Sequence, residues 1–119
     1  MEKTITLIVT RGPLAGNRWA FDKPTTCVVG RARDCTISLP FEAEHLDVSR
    51  HHCQLDISPP AVRIRDLGSL NGTYVNRERI EETALNDGDE VQVGKFRLMF
   101  LLGPHSVAEY GGGGAQVGG

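Results

Sequence analysis

The chain has 119 residues, with 13 Lys and Arg against 15 Asp and Glu and a formal net charge of −2. That length fits one domain with a core of its own, and the missing basic excess argues against nucleic acid, which is bound by neutralising phosphates. No apolar run reaches the length of about 18 residues that a membrane helix needs, and Met1-Glu2-Lys3-Thr4-Ile5 lacks a secretory layout, so no membrane partner and a cytoplasmic location are expected.

Strand periodicity opens the chain. In Thr4 to Thr10, Ile5, Leu7 and Val9 share one face and threonines largely the other. Further strands are expected near 18–22, 26–30 and 36–39, after a first one near 3–10. Phe41 to Asp47 offers a single helical turn inside a loop. Cys53 to Ile57 and Val62 to Arg65 then alternate cleanly, predicting strands near 52–58 and 61–66, and shorter ones follow near 73–76, 79–80 and 90–93. The last run, 96–102, is apolar on both faces at its end and is expected to be buried on both sides. Turn residues punctuate these runs at Arg11-Gly12-Pro13, Asp22-Lys23-Pro24, Ser58-Pro59-Pro60, Asn71-Gly72 and Asn86-Asp87-Gly88. No segment carries a helical stripe, so the fold class is all-β, a sandwich or barrel of antiparallel sheets. Gly111 to Gly114 and Gly118-Gly119 leave little to pack. The chain therefore divides into a folded domain over 1–102 and a flexible Gly-rich tail or linker over 103–119.

Cys27, Cys35 and Cys53 are odd in number and form no C-x-x-C pair. Reduced thiols are expected, since a core of this size needs no staple.

Three polar clusters lie at strand ends or loops: Gly30-Arg31, Ser49-Arg50-His51-His52, and Gly68-Ser69-Leu70-Asn71-Gly72-Thr73 followed by Asn76. A sandwich gathers its loops at two ends, so such clusters can meet. They offer two guanidinium groups, a hydroxyl, an amide and a Gly-supported turn with outward N–H groups. That inventory suits a phosphoryl group, which brings negative charge and three strong acceptors.

The order G-R, S-x-x-H, L-G-S-x-N-G-T-x-x-N resembles the signature of the forkhead-associated (FHA) domain. It runs from Gly30 to Asn76, and the flanking strands extend the likeness over roughly 3–102. The resemblance implies a two-sheet antiparallel β-sandwich of about eleven strands whose loops bind phosphothreonine peptides without catalysis. It implies that Arg31 contacts the phosphate, Ser49 hydrogen-bonds it, and Arg50 contacts the phosphate or adjacent peptide backbone. Asn71 would hold the peptide main chain, while Gly30, His52, Gly72, Thr73 and Asn76 shape and brace the loops. The partner would be a phosphothreonine-containing protein, in trans or within the same parent, downstream of a Ser/Thr kinase. No cofactor or metal is implied.

Two positions depart from the family pattern. Leu70 stands where Thr or Ser is frequent and contributes only its backbone N–H to phosphopeptide binding. The loop from Pro40 to Val48 is long and carries Glu42, Glu44 and Asp47, which would favour basic residues in the ligand. These two features are also the ground for an alternative, an FHA-like fold used for phosphate-independent association. A metal site among His45, His51, His52 and Cys53 has no zinc spacing, and neighbouring strand residues point to opposite faces. A hydrolase built on Ser49 lacks a G-x-S-x-G elbow and an orienting carboxylate.

Overall fold

The computed structural model describes residues 4–12, 14–39 and 47–103. Among the described residues there are eleven strands: β1 (Ile5–Arg11), β2 (Arg18–Phe21), β3 (Thr25–Gly30), β4 (Ile37–Ser38), β5 (Cys53–Ser58), β6 (Ala61–Asp66), β7 (Thr73–Val75), β8 (Glu78–Ile80), β9 (Glu82–Ala84), β10 (Glu90–Val93) and β11 (Phe96–Leu102). One sheet has the order β2-β1-β11-β10-β7-β8 and the other β4-β3-β5-β6-β9. The expected all-β, two-sheet sandwich is present.

The pairing is antiparallel except between β3 and β4, which run parallel through Val29–Ile37 and Gly30–Ser38. This ladder is two pairs long, a local return of the 31–36 loop rather than a crossover between full strands. The amide of Leu39 closes it on the carbonyl of Gly30 at 2.8 Å.

Alternation places the core where the sequence pattern put it. Ile5, Leu7 and Val9 are at most 1% exposed, and they share one core cluster with Phe96, Leu98 and Phe100 of the neighbouring β11 and with Ile64 of the opposite sheet. Full burial of such side chains contributes about 1.5–3 kcal/mol each. β11 lies between β1 and β10, and only Leu101 is buried among its non-core positions. Arg97, Met99 and Leu102 are half-buried, so the two-sided burial expected of this strand is local.

β9 was not legible as a strand, because Glu82-Thr83-Ala84 has neither alternation nor strong β-formers. It exists as an edge strand through its ladder with Arg63, Ile64 and Arg65 of β6. An ion pair from Arg63 Nε to Glu82 Oε2 at 3.1 Å adds to it.

All three cysteines are free and buried. Burial, and secondarily Cys35, pushes the Cys27 thiol up to about 12, and burial raises Cys53 as well. Such thiols behave as small apolar side chains. Among the described residues there is no helix long and apolar enough to cross a membrane. The helical turn expected at 41–47 falls outside the described residues except for Asp47, and the tail falls outside them after Gly103.

Candidate functional site

Beyond the end of β3 the chain stays clamped to the segment that leads into β5. The amide of Arg31 donates to the carbonyl of Ser49 at 3.1 Å, that of Ala32 to Arg50 at 3.0 Å, and that of His52 to Val29 at 2.8 Å. Two loops are thereby held side by side. Gly30 is the reason they come so close, since a Cβ there would lie 2.1 Å from the carbonyl oxygen of Arg50. Arg31, half-buried, turns back over the second loop, and its Nε donates to the carbonyl of Val48.

His52 is fully buried and supports this pair of loops from beneath. Its Nδ1 accepts the Ser49 amide at 3.0 Å, so the ring proton sits on Nε2, which donates to the carbonyl of Gly72 at 2.8 Å. One neutral imidazole thus joins the 49–52 and 68–73 segments. His51, the next residue, is exposed and pairs with Asp34 at 3.0 Å.

The third loop is organised by Asp66, a residue outside the set expected from sequence. Its Oδ2 accepts the amides of Gly68 and Ser69, each at 3.0 Å. Its Oδ1 accepts the hydroxyls of Ser69 at 2.5 Å and Thr73 at 2.7 Å. Ser69 Oγ in turn accepts the Gly72 amide at 2.9 Å. Burial pushes the Asp66 carboxyl up, but these hydrogen bonds from Ser69, Thr73 and Gly68 outweigh it and hold the group below its ordinary value. The sequence signal was available: Asp two residues before Gly is an Asx-turn pattern. Gly72 then adopts φ +92°, a conformation that disfavours a side chain.

This scaffold presents the outer residues. Leu70 is 84% exposed, and its amide donates to Ser49 Oγ at 3.1 Å. Asn71 is exposed and donates through Nδ2 to the carbonyl of Asp47 at 3.1 Å. Arg31, Ser49, Arg50, Leu70 and Asn71 therefore come from three loops to one end of the sandwich, with Gly30, His52, Gly72 and Thr73 among or beneath them.

Asn76 lies elsewhere, at the opposite end of β7 from this loop. There, with φ 49°, it bonds Asp89 Oδ1 through Nδ2 at 3.0 Å and accepts the Glu90 amide at 3.0 Å. It pins the β7–β8 turn to the start of β10. Of the acidic loop, Glu42 and Glu44 fall outside the described residues. Asp47 is half-buried, its Oδ1 is buried without a partner among the described residues, and its carboxylate lies against Gly94.

Beside Arg31 opens a cleft of about 460 Å³ lined by Arg31, Ala32, Arg33, Asp34, Arg50 and His51. Asp34, Cys35 and His51 bring potential ligand atoms within 4.8 Å of one another. This is not the histidine set weighed from sequence, in which His52 and Cys53 are buried and His45 lies outside the described residues. Three guanidinium groups on the same walls make the cleft a poor host for a cation and a good one for an anion.

Comparison with known proteins agrees with this architecture. The family model for the FHA domain matches residues 27–94, more than half of the chain. The glycogen accumulation regulator GarA of Mycolicibacterium smegmatis is 49% identical over 100 residues, covering 84% of this chain and 60% of its own length. The oxoglutarate dehydrogenase inhibitor of Corynebacterium efficiens is 48% identical over 98 residues, covering 82% of this chain and 66% of its own. The chain thus spans about 60–66% of the length of these curated relatives. A solved structure from a structural and functional analysis of phosphothreonine-dependent FHA domain interactions superimposes with a TM-score of 0.73 at 26% identity. That match covers 86% of this chain and 99% of the solved one.

Proposed function

The chain belongs to the FHA domain family, and on that premise we propose that it is a non-catalytic module that binds phosphothreonine peptides through the loop cluster around Arg31. One observation carries the reading: hydrogen-bond donors from three loops are gathered at one end and left with capacity to spare. Ser49 Oγ accepts from the Leu70 amide, so its own O–H is available to a phosphate oxygen. Asn71 spends one Nδ2 hydrogen on Asp47 and retains its other hydrogen and its Oδ1, a donor and acceptor suited to a peptide main chain. Arg31 and Arg50 supply the planar, charge-assisted pairing that a phosphate dianion favours.

The same geometry leaves His52 unable to serve Ser49 as a catalytic base. Both His52 ring nitrogens are bonded to backbone groups, one of them the Ser49 amide rather than its hydroxyl. We read the binding unit as 1–102, with 103–119 as a linker and a cytoplasmic setting in which a Ser/Thr kinase prepares the partner. The names of the two curated relatives support a regulatory role for the protein that this domain serves.

An oriented phosphothreonine peptide library, tested beside its unphosphorylated copy, decides the matter. Retention only of phosphorylated sequences is expected. Equal retention of both would transfer support to phosphate-independent association, which the exposure of Leu70 otherwise favours.

A further inference from the structure

The cleft beside Arg31 has a volume of about 460 Å³, and Arg33 and His51 line it together with Arg31 and Arg50. We propose that it is a second anionic subsite, in which Arg33 reads a carboxylate or a second phosphate carried by the peptide near its phosphothreonine. The inference rests on the phosphothreonine reading and adds to it a specificity-determining residue on the 31–36 loop.

The charge arrangement points this way. Arg31, Arg33 and Arg50 all line the cleft, and among the described residues Asp34 is the only acidic one that lines it. The Asp34 carboxylate is engaged by His51, with both oxygens within 3.2 Å of Nε2. Among the described residues neither Arg33 nor Arg50 has a side-chain partner, and both are exposed. Holding three guanidinium groups around one concavity is repulsive unless an anion enters. One phosphate, bonded by Arg31, Arg50, Ser49 and the outer loop amides, would leave Arg33 unmatched.

The backbone makes the subsite a built feature rather than a chance of side-chain reach. The Ala32 amide is tied to Arg50 at 3.0 Å and the Cys35 amide to Ala32 at 3.1 Å. Cys35 Sγ also donates to the Arg50 carbonyl at 3.2 Å. The backbone of the loop that carries Arg33 is therefore fixed relative to that of Arg50.

The test uses four peptides of one sequence: unphosphorylated, singly phosphorylated with neutral flanks, singly phosphorylated with Asp or Glu flanks, and doubly phosphorylated. Affinities are read by titration calorimetry at low and high salt. Anionic flanks should tighten binding about 3- to 10-fold over the neutral phosphopeptide, as expected for one or two additional partly exposed pairs, and salt should narrow the gap. Arg33→Ala should remove that gain and leave the neutral phosphopeptide within about 2-fold of the unmodified domain. If the aspartate peptide gains nothing and the doubly phosphorylated one does, the subsite is selective for phosphate. No gain from either, or an Arg33→Ala loss equal across all phosphorylated peptides, overturns the subsite alone. Equal binding of the unphosphorylated and neutral phosphorylated peptides would overturn the phosphothreonine reading, and the subsite with it.

Discussion

Of the two layers of the loop cluster, the inner one satisfies its polar groups within the protein and the outer one does not. His52, Asp66, Ser69 and Thr73 are buried or half-buried; His52 joins the 49–52 and 68–73 segments, and the other three tie the 66–73 loop to itself. Arg50 and Asn71 are exposed and retain donor capacity. A buried polar group without a partner is costly, whereas an exposed one is served by water until a ligand replaces it. Changes in the inner layer should therefore lower stability and binding together, and changes in the outer layer should lower binding alone.

Arg31 tests that division most severely because it belongs to both layers. It is half-buried and bonded to the Val48 carbonyl, yet it borders the cleft. Arg31→Ala should cost about 2–4 kcal/mol of phosphopeptide affinity, or roughly 30- to 1,000-fold, with a smaller loss of thermal stability. Arg31→Lys should recover little, since an ammonium lacks the planar fork. Calorimetry showing unchanged affinity for the alanine variant would move the phosphate away from this end of the sandwich.

Gly30 sharpens the comparison from the inner side, for it has no polar side chain at all. Its role is close approach, and a methyl group 2.1 Å from the Arg50 carbonyl cannot be accommodated without parting the two loops. Overpacking of this kind costs about 1–3 kcal/mol. Gly30→Ala should shift the urea midpoint downward and weaken every phosphopeptide alike, acidic or neutral. A fully stable Gly30→Ala domain with normal affinity would show that the loops are not held by this contact.

His52 and Ser49 form the matched pair, one from each side of a single hydrogen-bonded unit. His52→Ala orphans the Ser49 amide and the Gly72 carbonyl in the interior, a loss of about 1–3 kcal/mol. Ser49→Ala removes an outward hydroxyl and should weaken binding with little change in melting temperature. If His52→Ala melted normally and failed only to bind, His52 would be a ligand contact and the two-layer division would fail.

How far the sequence foretold this arrangement depends on the scale at which each residue acts. Alternation in β1, β5 and β6 disclosed the buried faces, because burial repeats with the pleat. The residues of the loop cluster were legible as polar groups with Gly at turn positions. Their grouping into layers was not, since it depends on long-range bonds such as Leu70 to Ser49 and His52 to Gly72. Asn76 shows the limit clearly. It stands three residues after Thr73 in the motif, yet β7 carries it to the other end of the strand, where it braces β10 instead. Asp66 is hard to single out in the sequence because it ends a strand whose pattern alternation already explains. β9 gave no signal of its own, as edge pairing alone makes it a strand.

Asp66 supplies the smallest expected effect and the most specific one, because it depends on pH. Its two carboxylate oxygens accept four hydrogen bonds from Gly68, Ser69 and Thr73. All four donors favour the ionised form, and together they hold its folded-state pKa below the ordinary value. A carboxyl depressed on folding contributes stability that is present above its unfolded pKa, near 3.9, and is lost as pH falls through the folded value. Asp66→Asn keeps the shape but offers one acceptor oxygen and turns an amide N–H₂ toward donors. The native domain should therefore exceed the variant in urea midpoint by an amount that is constant at neutral pH. That difference should shrink once pH drops below about 4. Partial exposure of the carboxyl keeps the effect modest. Urea titrations of both proteins across this range measure it directly. A difference that stayed constant into acid would mean that the loop depends on the shape of Asp66 and not on its charge, and one that grew would reverse the sign of the shift assigned to it.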